Sequence, residues 1–156
     1  MLLVHYGAWK FDLKKFEKIE NTIWCKPKGG LWTSPINSKY SWKRFCKSEH
    51  FRSNSLKSRM ILKLDDSTNI LKIDSLKDAL KMKWLIHKFN NKFEMQFPNF
   101  ELLKTKYDAI YLTRNGERET RLSRPHSLYG WDVETVFIMN PLKIKQISPI
   151  RYATKD

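Results

Sequence analysis

At 156 residues, 41% hydrophobic and 13% aromatic, the chain has the size and composition of one folded domain with its own core, which excludes a largely disordered polypeptide. Thirty Lys and Arg against sixteen Asp and Glu give +14, a charge that favours an anionic partner: nucleic acid, a dinucleotide or an acidic protein surface. Cys25 and Cys46 make no disulfide framework, and no run reaches the ~18 to 20 apolar residues of a membrane span, so the expectation is a cytoplasmic protein with no signal peptide and no membrane partner.

Taken in order, residues 2–6 read as a first strand carrying His5. Gly29-Gly30 supplies the backbone freedom for a sharp turn, and Leu31-Trp32-Thr33-Ser34 is a short strand ended by Pro35. Residues 38–47 suit a short helix, with Trp42, Phe45 and Cys46 on one face. Residues 60–64 and 68–73 alternate apolar and polar positions, which predicts two strands around an Asp65-Asp66-Ser67 turn.

Ser75 is an N-cap with Asp78 in the first turn, and the pattern predicts a helix with Leu76, Ala79, Leu80 and Trp84 as its buried stripe, ending at Asn90-Asn91. Residues 100–103 form a helical turn, 107–112 a strand, and Arg114-Asn115-Gly116 a turn into a long polar loop over 117–129. Residues 143–147 make a last short strand. The fold class is α+β with more strand than helix: one domain over 1–150 and a loose tail over 151–156.

Between the polar loop and the last strand, residues 133–139 (Val133-Glu134-Thr135-Val136-Phe137-Ile138-Met139) read as a strand stopped by Pro141. Glu134 is its discordant residue. A carboxylate in a strand suited to the interior is paired, neutralised or used, unless it sits at a solvated strand end.

His5 on the first strand, Gly29-Gly30-Leu31-Trp32-Thr33-Ser34 on the second and Glu134 opening a late strand, in that order, resemble the ADP-ribosyltransferase fold. Tyr107-Asp108-Ala109-Ile110 and the run from Glu134 to Ile144 are similar in wording to many members, so the likeness covers most of the chain through short motifs. It implies split antiparallel sheets with a few peripheral helices, and NAD held in a cleft as co-substrate. His5 would contact the ribose or adenosine side, and Trp32, Thr33 and Ser34 would wall the nicotinamide. Glu134 would be the catalytic carboxylate that stabilises an oxocarbenium-like ribose. Tyr129, Trp131 and Asp132 fall where the family recognises acceptors, here a protein or a nucleic acid.

Two departures bear on the acceptor. Asp132 stands two residues before Glu134, where one subgroup has Glu or Gln, and the first-strand residue is His while Trp32-Thr33-Ser34 resembles the Ser-Thr-Ser class. Each residue also has a plainer reading: His5 as a hydrogen-bonded core or edge histidine, Gly29-Gly30 as a hairpin turn, Trp32 and Trp42 as core aromatics, Tyr129 and Trp131 as loop anchors, Asp132 as a solvated acid.

Cys46 and His50, with Cys25, lack the fourth partner of a structural zinc site, so no metal is expected. The alternative function is a basic binder of nucleic acid or of a partner protein, without chemistry. Lys39, Tyr40, Trp42, Lys43, Arg44, Phe45, Lys47 and Arg52 interleave cations with aromatics, and Lys81, Lys83 and Lys88 add a second basic stretch.

Overall fold

The computed structural model describes residues 1–89 and 93–148. It is a mixed α+β protein with a mostly sheet core and few helices. The strands are β1 (Leu2–Tyr6), β2 (Leu31–Pro35), β3 (Arg59–Leu64), β4 (Ile70–Ile73), β5 (Trp84–Phe89), β6 (Phe93–Pro98), β7 (Ala109–Leu112), β8 (Thr135–Ile138) and β9 (Ile144–Ser148). The helices are short: α1 (Trp42–Ser48), α2 (Leu76–Ala79), α3 (Phe100–Leu103) and α4 (Arg114–Thr120). Among the described residues no helix is long and apolar enough to cross a membrane.

Seven strands form one sheet in the order β4-β7-β8-β2-β1-β3-β9, and β5 and β6 form a separate antiparallel pair. Within the large sheet only β4 and β7 run parallel. β8 lies inside it and is buried at all four positions, Thr135, Val136, Phe137 and Ile138. A strand covered on both faces has no polar side to show, so it reads as a continuous apolar run. Phe137 packs on one face with Ile73, Ile110, Leu112, Phe100 and Trp131. Val136 and Ile138 pack on the other with Leu3, Met60, Leu62 and Leu64.

The joint at the middle of the sheet is slight. β1 and β2 share two residue pairs, Leu3↔Pro35 and Val4↔Ser34, whereas β1 and β3 share five. Beyond Val4 and Ser34 the two strands part, leaving His5 and Tyr6 on one side and Trp32 on the other. Where the resemblance implies split antiparallel sheets, seven of the nine strands form one order with one parallel pair and this weak central seam, and β5 and β6 stand apart.

Several local expectations are corrected. The two strands expected around Asp65-Asp66-Ser67 are present as β3 and β4, but they lie apart: β3 sits between β1 and β9, while β4 is the far edge beside β7. Ser75 caps α2 as expected, its side chain accepting from the Asp78 N–H, but the helix stops at Ala79. Residues 84–89 are strand, not helix, because Trp84, Ile86 and their neighbours find cross-strand partners in β6. Leu80 is consequently exposed rather than part of a stripe. Asn90-Asn91 and the tail over 151–156 lie outside the described residues.

Arg114-Asn115-Gly116 opens α4 instead of making a turn, with Thr113 as N-cap accepting from the Gly116 N–H. Gly116 is there for contact, since a Cβ on it would stand 2.2 Å from the Ile73 carbonyl oxygen. Gly29 and Gly30 do adopt positive φ (+75° and +72°), and a Cβ on Gly30 would meet the Phe137 ring at 2.4 Å. That turn seats β2 tightly against β8.

Candidate functional site

A cleft of about 430 Å³ opens where β1 and β2 part. Val4, His5 and Tyr6 form one wall, and Trp32, Thr33 and Ser34 another. Trp42, Phe51 and Arg52 contribute from α1 and the segment after it, while Lys26, Gly130, Trp131, Asp132, Val133 and Thr135 complete the lining. Aromatic walls with a few charged groups are what small-molecule sites of this size present.

His5 is held by geometry that fixes its tautomer. Its Nδ1 lies 2.8 Å from the Trp32 carbonyl oxygen, which can only accept, so Nδ1–H donates and Nε2 remains an acceptor. Burial outweighs that bond and lowers the imidazole pKa below its ordinary value, so the ring is neutral at pH 7. Trp32 packs edge-on against Trp131 at 4.8 Å and tilted on Phe137 at 4.5 Å. The Thr33 hydroxyl is committed to the Val136 carbonyl at 2.6 Å, and the Ser34 hydroxyl accepts from the Trp42 N–H at 3.3 Å.

The sequence motifs therefore meet, with one exception. Glu134 stands between two lining residues, Val133 and Thr135, but is not among the lining residues itself. Its carboxylate instead accepts 2.6 Å hydrogen bonds from Ser38 Oγ and from the hydroxyl of Tyr111, the residue paired with Val136. The expectation that Glu134 shares one space with His5, Trp32 and Ser34 is corrected on this point.

The acceptor-side residues divide as well. Trp131 is buried (2% exposed), stacked 6.2 Å from Phe100, and its indole N–H donates to the Cys25 carbonyl, so it is a floor and not a free contact. Tyr129 is 59% exposed and lies outside the cleft, with the Arg121 guanidinium 5.6 Å from its ring centre. Asp132 is on the cleft wall rather than solvated at a loop end, paired with Lys26 at 3.7 Å and Arg121 at 3.5 Å.

Those pairs belong to a longer chain of charge. Glu117, 3% exposed in α4, binds Arg114 and Arg121; Arg121 reaches Asp132, and Asp132 reaches Lys26 over the Trp32 ring. A buried carboxylate with two guanidinium partners satisfies its desolvation cost and fixes α4 to the cleft wall. Sequence reading missed this chain because it placed residues 117–129 in a loop. It also missed Ser38 and Tyr111, which lie 96 and 23 residues from Glu134 and carry no motif.

Among the described residues, no group of three or more His, Cys, Asp or Glu is placed to hold a metal ion. No protein-family model, no curated protein and no solved structure matches the chain.

Proposed function

We propose that the chain is an NAD-dependent ADP-ribosyltransferase that moves ADP-ribose from NAD to a macromolecular acceptor. The observation that carries this reading is the meeting of His5, Trp32 and Ser34, from motifs separated in sequence, on one aromatic cleft at the seam of the sheet. The neutral His5 offers Nε2 to a ribose hydroxyl. Trp32 offers ring surface to a flat heterocycle, and Lys26 and Arg52 bring positive charge for phosphate.

Breaking the nicotinamide–ribose bond sends the bonding electrons to nicotinamide and leaves positive charge on the ribose; an oxygen or nitrogen of the acceptor then bonds to the ribose carbon and gives its proton to solvent. Glu134 is suited to stabilise that charge because its two close partners, Ser38 and Tyr111, are neutral, so its own charge is not cancelled. Asp132, between Lys26 and Arg121, is already compensated. Direct contact with a ribose hydroxyl in the cleft requires Glu134 to leave Ser38 and Tyr111 and turn its side chain in beside Val133 and Thr135. Nicotinamide release from NAD, with and without Glu134→Gln, tests the reading; a wild type that binds NAD yet releases nicotinamide no faster than the variant overturns it.

A further inference from the structure

We propose that residues 39–57 form a docking surface for single-stranded nucleic acid, which makes that polymer the acceptor class at the cleft. The acceptor role rests on the transferase reading above; the binding does not.

Within these residues Lys39, Lys43, Arg44, Lys47, Arg52 and Lys57 are all exposed, and Glu49 is the one acid. None of the six forms an ion pair with a carboxylate among the described residues, whereas Lys26, Lys28, Lys63, Lys72, Lys81, Arg114, Arg121 and Lys145 all do. This stretch therefore presents six exposed cations against one acid, with no ion pair among the described residues drawing on them. Phosphates along a strand release counterions on meeting such a surface.

Charge alone would suit an acidic protein equally. The aromatics decide between them. Trp42 stacks on Phe45 with ring centres 5.4 Å apart, Phe51 meets Trp42 edge-on at 5.9 Å, and both Trp42 and Phe51 line the cleft. Phe51 is 43% exposed and carries Arg52 at 5.3 Å from its ring centre. Ring surface next to cations serves a polymer that alternates bases with phosphates; an acidic peptide gains nothing from it. A base can lay its face on an exposed ring such as Phe51 only when it is out of a duplex, so the strand is single.

Fluorescence anisotropy with the full chain tests this, using a labelled single strand of about twenty nucleotides, its duplex and polyglutamate, at low and moderate salt. The single strand should bind tightest. Lys43→Glu with Lys47→Glu should weaken it roughly tenfold or more and lower the log–log salt slope by about 1.4, the value for two phosphate contacts on a single strand. Phe51→Ala should weaken it roughly fivefold or more through lost stacking. Lys14→Glu with Lys15→Glu makes the same charge change elsewhere and should alter affinity less than about twofold.

Equal losses in the two double variants would reduce the effect to net charge and overturn the proposal, as would duplex or polyglutamate binding as tight as the single strand. NAD binding by Lys43→Glu with Lys47→Glu should match wild type. Strand binding that persists in a protein without NAD turnover removes the transferase reading and leaves the docking surface standing.

Discussion

The Tyr111 hydroxyl on β7 donates a 2.6 Å hydrogen bond to Glu134, the residue that precedes β8. Burial, and after it the bond to Glu134, raises the phenol pKa above its ordinary value, because both oppose a second negative charge there. The protonated phenol is thus favoured by folding, and its contribution is lost as pH rises above about 10. Tyr111→Phe should cost about 1 kcal/mol at neutral pH by removing one of the two donors to Glu134. Urea unfolding between pH 7 and 11 checks both points: wild type should lose stability above pH ~10 more steeply than the variant, and parallel curves would refute the coupling.

Two carboxylates compete for the chemistry, and their surroundings predict different kinetics. Glu134→Gln keeps size and hydrogen-bonding shape while removing a charge whose two close donors are neutral, so nicotinamide release should fall roughly a hundredfold with NAD binding little changed. Asp132→Asn removes the shared partner of Lys26 and Arg121, so it should mainly weaken NAD binding by loosening Lys26 at the cleft wall. Steady-state kinetics of both variants separates the cases. If Asp132→Asn abolishes turnover while Glu134→Gln spares it, the acid on the wall is the reacting group.

Strand content was legible because β1, β2, β3, β4, β7 and β9 each carry their own local pattern and a nearby turn or Pro. Which strands become neighbours was not, because pairing is decided by distant partners: β2 pairs with β8 about a hundred residues on. The β5 segment misled because Leu76, Ala79, Leu80 and Trp84 match helical spacing, yet only the first turn is capped and the rest pairs with β6. At the site, His5, Trp32, Ser34 and Asp132 were legible as motif residues. The position of Glu134 was not, since it is set by Ser38 and Tyr111, which come from distant parts of the chain.

Gly116 gives a prediction of sign. Ala favours a helix over Gly by about 1 kcal/mol, so an exposed glycine in α4 would be improved by the change. Here the added Cβ would lie 2.2 Å from the Ile73 carbonyl oxygen, a backbone atom that cannot step aside without shifting the end of β4. Gly116→Ala should therefore destabilise by roughly 1–3 kcal/mol, the usual cost of overpacking. A thermal melt with a raised midpoint would show that α4 does not sit this close to β4.

His5 supplies a test in the mildly acidic range. Its imidazole is neutral in the fold, with a pKa below the ordinary 6.5 because burial disfavours the cation more than the bond to Trp32 favours it. The unfolded chain therefore binds this proton first. Stability contributed by neutral His5 is complete above about pH 6.5 and is lost as pH falls from there through the lower folded value. His5→Asn preserves a side-chain N–H for the Trp32 carbonyl but does not titrate, so the difference in unfolding free energy between wild type and variant should change between about pH 7 and 5, with wild type losing more. Because the same ring lines the cleft, NAD affinity of wild type should fall as pH drops through the lower folded value if Nε2 accepts from a ribose hydroxyl, as protonation converts that acceptor to a donor. Isothermal titration from pH 7.5 down to the pH at which the stability difference between wild type and variant levels off, where folded His5 has taken its proton, reads this directly. Wild-type affinity that is unchanged over that whole range, with the fold intact throughout, would remove His5 as a nucleotide contact and leave it as the bolt between β1 and β2.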